Sequence, residues 1–249
     1  MNTKLWFKSA FSLTLGALLA LGIASCSPDA PENEINHKLH EDPFKAVLTL
    51  QEGKLIGGKF NANPEMKHFE ASPVVEQKVV WETQKGKGWT ITSPAKSFKV
   101  KNIEQNPDVV YCLKFEYFNL KGEPMNYQFF DNGQDKIHQH FFSVYKPVTL
   151  PDGSKGNIRE TKKENLPFDY NYADEYNGNY IAATNPMGFQ GFIRFVQPAT
   201  NFDLTIELLH SAKSKLEDDG TPSPFYLPSR TNRSTGLWDI NITVPIEIE

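Results

Sequence analysis

Apolar and polar residues alternate along most of this chain with a period of two. Near the carboxyl end, Trp238, Ile240, Ile242 and Val244 alternate with Asp239, Asn241 and Thr243. That spacing predicts a strand with one apolar face. Further strands are predicted at A-V-L-T-L (46–50), Q-K-V-V-W-E-T (77–83), W-T-I-T (89–92), S-F-K-V (97–100) and V-V-Y-C-L-K-F-E-Y-F (109–118). The same reading marks M-N-Y-Q-F-F (125–130), I-H-Q-H-F-F-S-V (137–144), G-F-I-R-F-V (191–196) and F-D-L-T-I-E-L-L-H (202–210). K-G-K-G (85–88), D-N-G-Q-D (131–135), Lys121-Gly122 and Asp152-Gly153 supply hairpin turns. Residues 145–180 read as loop, and the Pro-rich stretch 218–229 as a second surface loop. No stretch longer than two turns has helical periodicity. The expected fold is all-β: an antiparallel β-sandwich or partly open barrel. A-V-L-T-L-Q-E-G (46–53) echoes F-D-L-T-I-E-L-L (202–209), which would fit two packed sheets of related halves.

The first 25 residues break the alternation. Lys4 and Lys8 precede the run L-T-L-G-A-L-L-A-L-G-I, followed by Ala24, Ser25 and Cys26. A basic start, a short apolar run and small residues form a secretory signal. The next stretch, S-P-D-A-P-E-N-E-I-N, is too polar to offset chain entropy by burial and reads as a tether. The expected organisation is 1–25 signal peptide, 26–40 acylated cysteine and acidic tether, and 41–249 β domain.

Composition then narrows the partners. Losing residues 1–25, with two lysines and no acids, takes the formal charge from −4 to −6. An acidic chain without a basic run offers nucleic acid no phosphate track. With Cys26 spent on lipid, Cys112 has no disulfide partner. Beyond residue 25 no apolar run approaches the ~18 residues of a membrane span.

Six histidines carry the candidate chemistry. His138 and His140 are two apart, so on a strand they share a face and offer two nitrogens to one ion. Zinc takes about four N, S or O ligands at ~2.0–2.3 Å, whereas Cu²⁺ wants a squarer N/O set. His37 and His40, just before the first strand, form a second donor group. His210 continues the apolar face Phe202, Leu204, Ile206 and Leu208, so it points inward and needs a partner. These five histidines are the candidate metal ligands, for zinc, copper or haem iron. The competing readings are a hydrogen-bonded rim pair for His138 and His140, a solvated turn for His37 and His40, and a satisfied buried ring for His210. His68 reads as a loop residue, and Cys112 as a small, half-buried hydrophobe.

The loop F-D-Y-N-Y-A-D-E-Y-N-G-N-Y (168–180) is the other unusual element. Tyr170, Tyr172 and Tyr176 beside Asn and Asp suit carbohydrate, through ring stacking and amide hydrogen bonds; packing between core and water is the alternative. No nucleophile elbow, P-loop, dinucleotide glycine pattern or H-E-x-x-H is present. Glu116, Glu207 and Asp239 fall on strands, but nothing marks them as a catalytic pair. The chain reads as a non-enzyme.

The stretch I-A-S-C (23–26) resembles the lipobox of bacterial lipoproteins, which implies diacylglycerol on Cys26 and cleavage before it. Two or more acyl chains anchor stably, at ~0.8 kcal/mol per buried CH₂. With the acidic tether, the β pattern and the clustered histidines, the mature chain resembles outer-membrane or surface β-sandwich lipoproteins of the Bacteroidota. These often accompany TonB-dependent transporters. The resemblance implies an outer-membrane lipoprotein, on the periplasmic face or cell surface. It would capture a metal ion or a metal-containing ligand for uptake through such a transporter. The alternative is a glycan-binding or assembly lipoprotein without metal.

Overall fold

The computed structural model describes residues 39–196 and 200–249. The signal and tether expectations, Cys26 and His37 among them, lie outside these residues. The strands are β1 (Lys45–Leu55), β2 (Phe69–Ala71), β3 (Gln77–Gln84), β4 (Gly88–Ile91), β5 (Phe98–Val100), β6 (Val110–Phe118), β7 (His138–Ser143), β8 (Tyr145–Thr149), β9 (Lys155–Arg159), β10 (Phe168–Tyr172), β11 (Glu175–Tyr176), β12 (Asn179–Tyr180), β13 (Gln190–Phe195), β14 (Phe202–His210) and β15 (Leu237–Ile248). Among the described residues the one α-helix, α1 (Arg230–Thr235), is short and capped by Ser229, whose hydroxyl accepts the Asn232 N–H at 3.1 Å.

The fold is all-β, a sandwich whose larger sheet curls towards a half-barrel. That sheet runs β10-β13-β6-β1-β3-β4, with β2 beside β1. The smaller runs β5-β15-β14-β7. Pairing is antiparallel except for β5 with β15. Period-two alternation is the cause: Ala46, Leu48 and Leu50 of β1 face inward with Val79, Trp81, Leu113, Phe115 and Tyr117 of their neighbours. Leu204, Ile206, Leu208, Ile240, Ile242 and Val244 meet them from the smaller sheet. The echoing segments 46–53 and 202–209 thus lie in interior strands of different sheets. Phe60, Val110, Ala173 and Phe192 form a second, smaller core around Cys112. Cys112 is fully buried rather than half-buried, and desolvation pushes its thiol up to about 11. No helix among the described residues is long and apolar enough to cross a membrane.

Three expectations are corrected. M-N-Y-Q-F-F is not a strand, since Asn126–Phe129 form a 3₁₀ turn. The Asn126 side chain takes the partners a strand would use, accepting from Tyr117 N and donating to Phe115 O, both at 2.8 Å. The following D-N-G-Q-D is a second 3₁₀ segment rather than a hairpin turn, bent by Asn132 (φ 55°) and Gly133 (φ 79°). Residues 145–180 hold five strands, not a loop. Alternation fails there because β8 and β9 leave most residues of both faces in water, while β10 buries Phe168, Asp169 and Tyr170 in succession.

Candidate metal centre

At one end of the sandwich His40, His138, His210 and Asp239 bring one donor atom each to a common point. Three of them sit on adjacent strands. His138 opens β7 and lies directly opposite His210, the last residue of β14. Asp239 lies beside them on β15 because the β14–β15 register slips: Leu208 pairs Ile240, but Leu209 pairs Trp238. Asp239 is the extra residue of this bulge, and bulges re-aim side chains. Its carboxylate is only 2 % exposed, next to the buried Ile240. Trp238 is turned outward against Phe141. The expected alternation therefore holds from Ile240 onward and fails at Trp238.

His40 arrives from the segment before β1. Glu41 N donates to Gln128 Oε1 at 2.8 Å and Phe44 N to Phe118 O at 2.9 Å, which fixes that segment over the sandwich end. The Phe129 ring packs on His40 at 4.6 Å.

Five of the six separations are nearly equal. His40 Nε2 lies 3.1 Å from His138 Nε2, 3.4 Å from His210 Nδ1 and 3.4 Å from Asp239 Oδ2. Asp239 Oδ2 lies 3.3 Å from His138 Nε2 and 3.2 Å from His210 Nδ1. In a regular tetrahedron the centre stands 0.61 of an edge from each corner, so the five short edges suit donors ~1.9–2.1 Å from a central ion, the range of zinc–imidazole and zinc–carboxylate bonds. The sixth edge, His138 to His210, is bounded only by the 4.8 Å that encloses the group and would have to match them once an ion is held. A square would need two long diagonals, whereas at most one of the six separations is long.

Hydrogen bonds assign the tautomers. His138 Nδ1 donates to Gln134 O at 2.9 Å, and His40 Nδ1 to Glu41 O at 3.0 Å. The two Nε2 atoms face each other beside the Asp239 carboxylate, and in the neutral tautomer each would present a lone pair. Carbonyl partners of this kind orient metal-ligating imidazoles. Burial lowers the His138 pKa, partly offset by the Asp239 hydrogen bond, so the ring resists becoming a cation. Lys215 Nζ donates to His138 O at 3.1 Å and Pro186 O at 2.6 Å. Asp174 accepts from the N–H groups of Met187, Gly188, Phe189 and Gln190 at 2.8–3.2 Å. Together they pin the 186–190 turn against β7.

Of the histidines singled out from sequence, His40, His138 and His210 converge and His140 does not. Its Nδ1 donates to Met187 O at 3.0 Å, and Nε2 accepts from Tyr117 Oη at 2.6 Å. The ring stacks on Phe115 at 4.7 Å. Both nitrogens are spent, and desolvation pushes the pKa down to about 3. Sharing a face was insufficient, because residues i and i+2 stand ~6.5–7 Å apart along a strand. Ligand convergence came across strands instead. His68 is the last residue of the 3₁₀ turn Met66–His68 rather than a loop residue, and accepts the Glu65 N–H apart from the cluster.

The tyrosines are not an open platform. Tyr170 is buried and stacked on Phe142 at 4.0 Å. Tyr172 donates to His140 O at 2.7 Å. Tyr176 stacks on Phe130 at 4.8 Å and bonds to Asp131. The residue that sequence reasoning missed is Asp239, which strict alternation puts on the solvent face. The available signal was its position at the start of a strand that could pair with the end of β14.

Compared with family models, with curated proteins and with solved structures, the chain shows no match.

Proposed function

We propose that this chain is a membrane-anchored binding lipoprotein whose β domain holds one transition-metal ion, zinc before copper, through His40, His138, His210 and Asp239. One observation carries the reading: two imidazole Nε2 atoms, each on a ring whose Nδ1 is held by a backbone carbonyl, face each other at 3.1 Å with a buried carboxylate oxygen 3.3–3.4 Å from both. Packed lone pairs out of water are costly without a cation between them. Four protein donors fit a closed site rather than a catalytic one, which keeps a position open. Haem suits the cluster poorly, since its iron takes axial imidazoles singly and the porphyrin needs space around each. Anchoring rests on Lys4, Lys8, the apolar run and I-A-S-C up to Cys26. An outer-membrane address and delivery to a TonB-dependent transporter rest on the resemblance alone.

The test is elemental analysis of the full chain purified without added metal. One zinc per chain is expected for the native protein and for His140→Phe, with loss in His138→Ala and in the near-isosteric Asp239→Asn. Equal metal content in all four overturns the assignment. Occupancy should also fall in acid, because only neutral imidazole ligates. Mass spectrometry of the amino-terminal peptide tests the anchor: acyl chains on Cys26 support it, and a free thiol refutes it.

A further inference from the structure

Away from the histidine cluster, β10 forms one wall of a cleft of about 340 Å³. Residues 182–186 and 222–226 supply the others. Lys163, Ala183 and Pro224 are exposed at its rim, while Ala182, Tyr170 and Phe225 are buried in it. Tyr172 and Tyr226 are half-buried lining residues.

The polar groups here are not paired off. Tyr170 Oη and Asn171 Nδ2, both on lining residues, are buried and make no hydrogen bond. Behind the lining, Gln139 is fully buried, and its Nε2 donates to Tyr172 Oη at 2.9 Å and Ser223 O at 3.3 Å. Turning the amide over would set two acceptors against each other at Ser223, so Oε1 stays as it is, without a partner. Native proteins pair nearly all such atoms, because a buried group left alone has lost its hydration without replacement. A hydroxyl and an amide donor on lining residues, with an amide acceptor behind them, therefore lack partners around this cleft.

Charge narrows the ligand. Lys163 is the only charged residue in the lining, and its Nζ lies 3.0 Å from Asp169 Oδ1, so the cleft has no spare charge. An extended peptide pairing with β10 is disfavoured, since the Tyr170 N–H at the strand centre is already bonded to Asp169 Oδ1 at 3.0 Å. Aromatic and proline walls suit C–H faces, and unpaired polar atoms suit hydroxyls that both donate and accept. We propose that this cleft binds a neutral sugar unit of a glycan, independently of the metal centre. Tyr226 and Asn171 contact the ring, and Tyr176 takes no part.

The test uses the full chain on an array of neutral oligosaccharides built from glucose, galactose, mannose and N-acetylglucosamine, with and without EDTA. Binding to at least one member is expected, unchanged by EDTA and at least tenfold weaker in Tyr226→Ala and in Asn171→Ala. Both variants should keep the native β circular dichroism and zinc content. If Tyr226→Ala does not fold, Asn171→Ala decides alone. Absence of any bound sugar overturns the proposal, as does binding that survives both substitutions. Binding that EDTA abolishes and zinc restores also overturns it, by placing the sugar at the metal centre.

Discussion

Replacing His140 by Phe should flatten the acid dependence of stability, by an amount that follows from the burial of its ring. In the folded chain its pKa is pushed down to about 3 by desolvation, against the ordinary 6.5. Between those values the unfolded chain binds a proton that the folded chain refuses, so stability falls as pH drops through that window. One proton is worth ~1.36 kcal/mol per pH unit, so titration from pH 6.5 to 4 costs roughly 3.4 kcal/mol. The assay is urea unfolding at several pH values in EDTA, which removes any metal contribution. His140→Phe keeps the aromatic packing on Phe115 and the residue-140 N–H bond to Met187 O at 2.8 Å but strands Tyr117 Oη, so at pH 7 it should be ~1–3 kcal/mol less stable. Its stability should then decline less steeply, the two curves meeting between about pH 4 and 6. The native slope retains a part from His138, whose pKa is also lowered. Parallel curves for the two proteins would refute the buried, neutral His140.

Other consequences can be measured separately. Gly188→Ala should destabilise strongly, because φ is +78° and the added methyl carbon would stand 2.7 Å from His140 Cβ; thermal unfolding reads the loss. Cys112 should resist aromatic disulfide reagents in the native chain and react at once in urea, since its thiol is buried and its pKa raised to about 11. Zinc should raise the thermal midpoint of the EDTA-treated protein; at free zinc 1,000 times Kd the gain is about 4.1 kcal/mol. Asp239→Asn should abolish most of that gain.

How much of this was legible in the sequence depended on whether two faces of a strand differed. β1, β3, β6 and β14 each have a core face readable as alternation, and their positions were evident. β10 and the β8–β9 hairpin present similar environments on both sides, so their alternation is blurred and the segment looked like loop. Asn126 belongs to a run of strand-formers, yet its side chain caps the end of β6 and turns the chain. His210 was traceable as the continuation of an inward face. His138 and His140 were indistinguishable by spacing, and their partners separate them: nearby Gln134 and distant His40 for one, Met187 and Tyr117 for the other. Asp239 was hidden because a bulge is a property of two paired strands, and no single run of residues announces it.

X-ray absorption at the zinc edge of the loaded full chain reads the claim on which the rest turns. Four nitrogen or oxygen neighbours at ~2.0 Å are expected, with outer-shell scattering from three imidazoles. That scattering should weaken in His138→Ala and stay unchanged in His140→Phe. A six-oxygen shell without imidazole scattering would contradict the account, as would a spectrum that His138→Ala leaves unaltered.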